Sequence, residues 1–198
     1  MNKEEFWKTI ESVNHSVPDG NHEMVAKQMC EELLHYSPQD ILDWHLILRE
    51  YTNAAYRNDL WAACTALGAH SSDDGFIDFR TWLISQGKDI YMDAMRDPDT
   101  LAANPHAGNE MNFEAFSACA IDAYERKLNL TGMDRYSSGW HIMSCPDKAL
   151  REKINETLFP IYRGETEAQP VFKLSASEFE EAFGELSYTA GQSNFLMM

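Results

Sequence analysis

Basic residues are scarce in this chain. Lys and Arg number 16 against 32 Asp and Glu, a formal net charge of −16. The deficit runs through both halves: residues 1–99 hold eight bases and 18 acids, residues 100–198 eight and 14. Nucleic acid and anionic lipid are gripped by clustered positive charge, so this balance argues against both as partners. Cysteine is sparse too. Cys30, Cys64, Cys119 and Cys145 lie 34, 55 and 26 residues apart, and no pair has the C-x-x-C spacing of a zinc knuckle or a thioredoxin-type redox site. No apolar run approaches the roughly 18 residues of a membrane span. The opening Met-Asn-Lys-Glu-Glu-Phe-Trp-Lys is acidic and amphipathic and lacks the apolar centre of a secretion signal. The cytoplasm is therefore the expected compartment. G-x-G-x-x-G, Walker-A, G-x-S-x-G and H-E-x-x-H patterns are all missing, which leaves dinucleotide, nucleotide, α/β-hydrolase and zinc-protease chemistry without a sequence basis.

What is present is apolar, aromatic and helically spaced. Hydrophobic residues make up 44% of the chain and aromatics 12%, enough for a core and too much for a disordered polyanion. Phe6, Trp7, Ile10 and Val13 fall on one helical face ahead of the turn Pro18-Asp19-Gly20, and Met24, Val25, Met29 and Leu33 repeat the pattern. Ser37-Pro38-Gln39-Asp40 reads as a helix start: a side-chain acceptor, a proline in the first turn and an acid at the positive end of the dipole. Trp44, Leu48, Tyr51 and Ala55 form the stripe behind it. Leu60, Trp61, Cys64 and Leu67 predict a helix stopped at Gly68. Phe76, Phe79, Trp82 and Leu83 predict another stopped at Gly87, and Tyr91, Ala94 and Met95 a third ended before Pro98. Asn112 is expected to cap a helix through Phe113, Phe116, Ala120 and Tyr124. These patterns predict an all-α fold, a single domain of eight or nine short amphipathic helices. Residues 1–130 form the main helical domain, and 131–198 a C-terminal helical extension packed on it. Within the extension, Pro146 to Pro160 carries Leu150, Ile154 and Leu158 at helical spacing, Val171 to Leu174 could form a short strand, and Ser175-Ala176-Ser177-Glu178 is a capping box.

The centre of the chain also carries a specific pattern. Leu60-Trp61-Ala62-Ala63, Ser72-Asp73-Asp74-Gly75-Phe76-Ile77-Asp78-Phe79-Arg80-Thr81-Trp82-Leu83-Ile84, Gln86-Gly87, Tyr91, Ala94 and Asp97-Pro98-Asp99, with the opening Phe6-Trp7-x-x-Ile10, resemble the bacterial family known as domain of unknown function 4240. The likeness extends over roughly residues 1–130. It departs at Gly68-Ala69-His70-Ser71, where the family tends to pair glycines before its Ser-Asp-Asp. The resemblance implies a shared domain and no established activity, so function has to be argued from side chains.

Two groupings carry that argument. His70, Asp73, Asp74 and Asp78 are oxygen and imidazole donors that could hold Mg²⁺, Mn²⁺ or Ca²⁺, whose bound water could attack a phosphoester. A calcium-loop register fails, because aligning Gly75 with the loop glycine puts His70 at the first ligand and Thr81 at the bidentate one. The favoured expectation is that Asp73 or Asp74 caps the helix over 76–85 and that Asp78 pairs with Arg80 or another base. Arg80 is a second candidate, a planar five-donor head suited to an anionic ligand but expected to tie loops together through backbone carbonyls and a carboxylate, with Asp97 and Asp99 as candidate partners. His15 and His22, flanking the first turn, are expected in solvent. His141, Cys145 and Asp147 are the one local grouping that hints at a nucleophile. No cofactor is expected beyond a divalent cation in the metal reading. The leading functional expectation is a non-enzymatic protein-binding domain, immunity- or antitoxin-like or a regulatory adaptor, whose acidic surface meets a basic protein partner. The alternative is a metal-dependent hydrolase of a phosphoester or small molecule that uses Asp73, Asp74 and Asp78; a sensor binding an anion at Arg80 ranks third.

Overall fold

Each of the first three helices begins where a short polar side chain satisfies amide groups that the helix itself leaves unpaired. In a computed structural model, which describes residues 1–17, 21–107 and 110–130, Asn2 opens α1 (Lys3–Ser16) with a capping box. Its Oδ1 accepts from the Glu4 and Glu5 amides, while the Glu5 carboxylate accepts from the Asn2 amide. Asn21 caps α2 (His22–Leu33) through the Met24 amide. Ser37 caps α3 (Pro38–Ala54) with Pro38 in the first turn, as its sequence predicts. Then follow α4 (Asn58–Ala66), α5 (Asp73–Ser85), α6 (Lys88–Arg96), a 3₁₀ helix (Pro98–Ala103) and α7 (Glu114–Leu128). Gly87 joins α5 to α6 at φ 99°, a left-handed conformation that residues with a Cβ rarely adopt.

The fold is all-α; the described residues contain these eight helices and no strand. None of the described helices is long and apolar enough to cross a membrane. Pro18-Asp19-Gly20, the expected 131–198 extension with its strand near 171–174, and the His141–Cys145–Asp147 grouping lie outside the described residues.

Rings of α1, α3 and α6 meet at the centre, in one core with the buried rings of α5. Phe6 packs on Trp7, Trp44 and Tyr51 with centroids 5.0, 5.2 and 5.7 Å apart, and Tyr51 meets Tyr91 edge-on at 5.4 Å. Full burial of an apolar side chain contributes about 1.5–3 kcal/mol, and well-oriented ring pairs add roughly another 0.5–1.5 kcal/mol. Two of their polar groups are paired inside: Trp44 Nε1 donates to Thr9 Oγ1 at 2.9 Å, Thr9 Oγ1 donates to the Phe6 carbonyl at 2.7 Å, and the Tyr91 hydroxyl donates to the Tyr51 carbonyl at 2.8 Å, whereas Trp7 Nε1 is buried without a hydrogen-bond partner. The other wall is α7, which packs against α2, α3 and α5.

Candidate functional site

The Ser-Asp-Asp-Gly segment builds the N-terminal end of α5, and each residue does a separate job. Ser72 is the cap, its Oγ accepting from the Gly75 amide at 3.1 Å. Neither Asp73 nor Asp74 caps, contrary to the sequence expectation. The helix starts at Asp73, three residues earlier than expected, which places both carboxylates in the first turn, where the helix dipole favours them. Gly75 is there for closeness: a Cβ at this position would lie 2.2 Å from the carbonyl oxygen of His70. The loop before α5 is thereby folded flat against the helix.

A second loop crosses the same end. Asn112 does not cap α7, whose first turn begins after Phe113 with no side-chain cap. Instead its amide nitrogen donates to the carbonyls of Gly75 at 2.7 Å and His70 at 3.4 Å, and its oxygen accepts from the His70 amide at 3.1 Å. The Phe113 amide donates to the Asp78 carbonyl, and Thr81 Oγ1 donates to the Phe113 carbonyl at 2.9 Å. His22, expected in solvent, stacks on Phe113 at 4.0 Å and 5°. Partial burial lowers its pKa, against an opposing pull from Glu110. His15 is exposed, as expected.

This crossing brings Glu114 up to the acids of α5. The Asp78 carboxyl is half-buried, and its pKa is raised by burial and by the nearby charges of Glu114 and Asp74, while His70 pulls it down. Asp73 and Asp74 are exposed, Asp73 within 3.4 Å of the Tyr56 hydroxyl. Ile77, between the acids, is 44% exposed, one of three large apolar residues that stand out among the described residues. Among the described residues no three His, Cys, Asp or Glu side chains are grouped to hold a metal ion, so His70, Asp73, Asp74 and Asp78 do not come together as a ligand set.

Arg80 points the other way. It is 5% exposed, its Nε donating to the Phe76 carbonyl at 3.1 Å and its Nη1 to the Thr52 carbonyl at 2.7 Å. Its guanidinium carbon lies 4.6 Å from the Tyr56 ring centre and 4.9 Å from that of Phe76. Burial pushes the guanidinium pKa down to about 10, with Tyr56, Tyr91 and Asp73 pulling it back up. Its hydrogen bonds thus go to backbone carbonyls of α3 and α5, the expected kind of partner, while the expected carboxylate, Asp78, Asp97 or Asp99, is not among them. Asp97 and Asp99 are exposed, and Asp97 caps the 3₁₀ helix through the Asp99 amide at 3.1 Å.

The family model described as protein of unknown function (DUF4240) matches residues 1–126. The chain belongs to this family. No curated protein and no solved structure matches the chain. The family match runs from the residues that open α1 to the last turn of α7, so it takes in both loops that frame the acidic end of α5.

Sequence reasoning misses Glu114 and Ile77 as members of this face and misassigns Asn112. An Asn two residues before Glu114 carries the same local signal whether it caps its own helix or reaches across to another.

Proposed function

We propose that this member of the family is a non-enzymatic binding module that engages a basic protein partner through the acidic face formed by Asp73, Asp74, Asp78 and Glu114 around Ile77. The supporting observation is the setting of the Asp78 carboxyl: partial burial raises its pKa most, the like charges of Glu114 and Asp74 raise it further, and a cation supplied by a partner would relieve that repulsion. Ile77 supplies the apolar anchor that such a contact needs at its centre. The inward course of two arginines sharpens the field. Residues 1–130 hold ten bases against 22 acids. Of those ten, Arg57 and Arg80 are buried and donate to the carbonyls of Met95 and Thr52 respectively. A surface of this sign steers basic partners and repels acidic ones, the physics of an immunity- or antitoxin-like protein or a regulatory adaptor. The cytoplasm suits the free thiols Cys30, Cys64 and Cys119. The metal-hydrolase reading has no grouped ligand set among the described residues to rest on.

The test is capture by the immobilised full chain at low salt. A basic protein should be retained and then released as ionic strength rises past about 0.15 M, where the screening length is about 8 Å. Asp74→Asn with Asp78→Asn should cut retention about tenfold or more while the circular dichroism spectrum is unchanged. Retention indifferent to both salt and the double substitution would sink the proposal.

A further inference from the structure

We propose that the groove between α2 and α7 is the docking site for this chain's own residues 131–198. The groove has a volume of about 760 Å³ and is floored by small side chains, Ala26, Cys30, Ala115, Ala118 and Cys119. Such a floor lets another segment approach closely and insert larger side chains.

The end of α7 points the chain into it. Asn129 adopts a left-handed conformation, φ 53° and ψ 39°. Its amide donates to the Arg126 carbonyl at 3.2 Å, and the Leu130 amide donates to the Glu125 carbonyl at 2.9 Å. This pair of bonds is the Schellman turn, which ends a helix by turning the chain off its axis. Leu130, the first residue after the turn, already lines the groove. The next 68 residues leave from that point.

Their sequence fits the floor. Leu150, Ile154 and Leu158 recur every four residues between Pro146 and Pro160, the spacing of one apolar helical face. Residues 131–198 hold six bases and ten acids, and their bases gather around this apolar face: from Arg135 to Arg163 five bases meet three acids. A segment tethered at the groove's edge competes at an effective concentration of about millimolar, which favours it over a second copy or a free partner. This inference does not depend on the acidic face, and the two can fail separately.

The test uses the full chain with a photo-crosslinking phenylalanine analogue in place of Lys27, an exposed residue at the rim. Crosslinks within one chain to peptides from 131–198, with a yield unchanged on dilution, are expected. Crosslinks between chains that fade on dilution would assign the groove to a second copy and overturn the proposal, as would crosslinks confined to residues 1–130. A second measurement follows alkylation, read peptide by peptide. Ile154→Asp with Leu158→Asp should speed modification of Cys30 about tenfold by releasing its cover, leaving Cys64 in α4 at its original rate. An unchanged Cys30 rate would also overturn it. Should Cys30 and Cys64 accelerate together, the substitutions have loosened the whole domain, and the crosslinking pattern of the otherwise unaltered chain decides between docking and its rivals.

Discussion

The aromatic interior between α1, α3, α5 and α6 and the seam between α2 and α7 are both buried, yet they are built by opposite means. In the first, large rings fill the space and most of the polar groups among them are consumed internally: Trp44 by Thr9, Tyr91 by the Tyr51 carbonyl, and the Arg80 guanidinium by the Thr52 and Phe76 carbonyls. In the second, alanines and thiols bring two helices together and leave an open groove. Its thiols are held in the protonated form. Burial raises the pKa of Cys119, and it raises that of Cys30 against an opposing hydrogen bond and charge from Arg126. An interior completed by its own side chains determines the fold. A seam floored with small residues leaves room for something else to bind.

Trp44→Ala breaks the comparison at its stronger end and carries the largest expected effect. The residue is fully buried, packs on Phe6 and Phe116, and holds the Thr9 hydroxyl. Loss of about 3–5 kcal/mol is expected, because the cavity left among rigid rings relaxes only in part. Urea unfolding of the full chain measures it as a fall in midpoint.

One residue further along α3, His45 is a weak point. It is 8% exposed, its Nδ1 has no protein partner, and burial, helped by Arg49, lowers its pKa from the ordinary 6.5 to about 4. The unfolded chain takes up this proton near pH 6.5 and the folded chain only near pH 4. The stability contributed by the neutral ring is therefore complete above 6.5 and falls as pH drops through that window. A shift of this size corresponds to about 3 kcal/mol once both states are protonated. His45→Leu should match or exceed the parent's stability at pH 7 and should flatten the difference between pH 7 and pH 4 by about that amount. Unfolding curves at both pH values check it; an undiminished acid sensitivity would place its origin elsewhere.

The interior is legible in the sequence because its signals are local. Ser37-Pro38 announces α3, and the spacing of Phe76, Phe79 and Trp82 marks the buried face of α5. The acidic end is legible only in part. Its acids are visible, but what arranges them is contact between distant segments: Asn112 bonds to His70 across 42 residues, and Gly75 is small because His70's carbonyl lies against it. No period records such a pairing. For the same reason His22 reads as a solvent residue, since its cover, Phe113, lies in another loop. Arg80 falls at the edge of the apolar stripe in sequence, and carbonyl partners are expected of it, but that these are the carbonyls of Thr52 and Phe76 no residue identity reveals.

Cys30→Ala tests the weaker end and carries the smallest expected effect. Cys30 Sγ accepts from Arg126 Nη1 at 3.1 Å, while Arg126 Nη2 bridges to Glu31 at 2.9 Å, an ion pair whose side chains are 50% and 45% exposed. Exposed pairs of this kind contribute about 0–1 kcal/mol, and the pair with Glu31 survives the substitution. The thiol itself acts as a small apolar group, so its removal should cost about 1 kcal/mol or less, with the urea dependence of unfolding unchanged. A loss as large as that of Trp44→Ala would mean that the α2–α7 seam is packed as completely as the aromatic interior. A seam so filled could not admit the side chains of residues 131–198, and the groove would be a surface contour with no occupant.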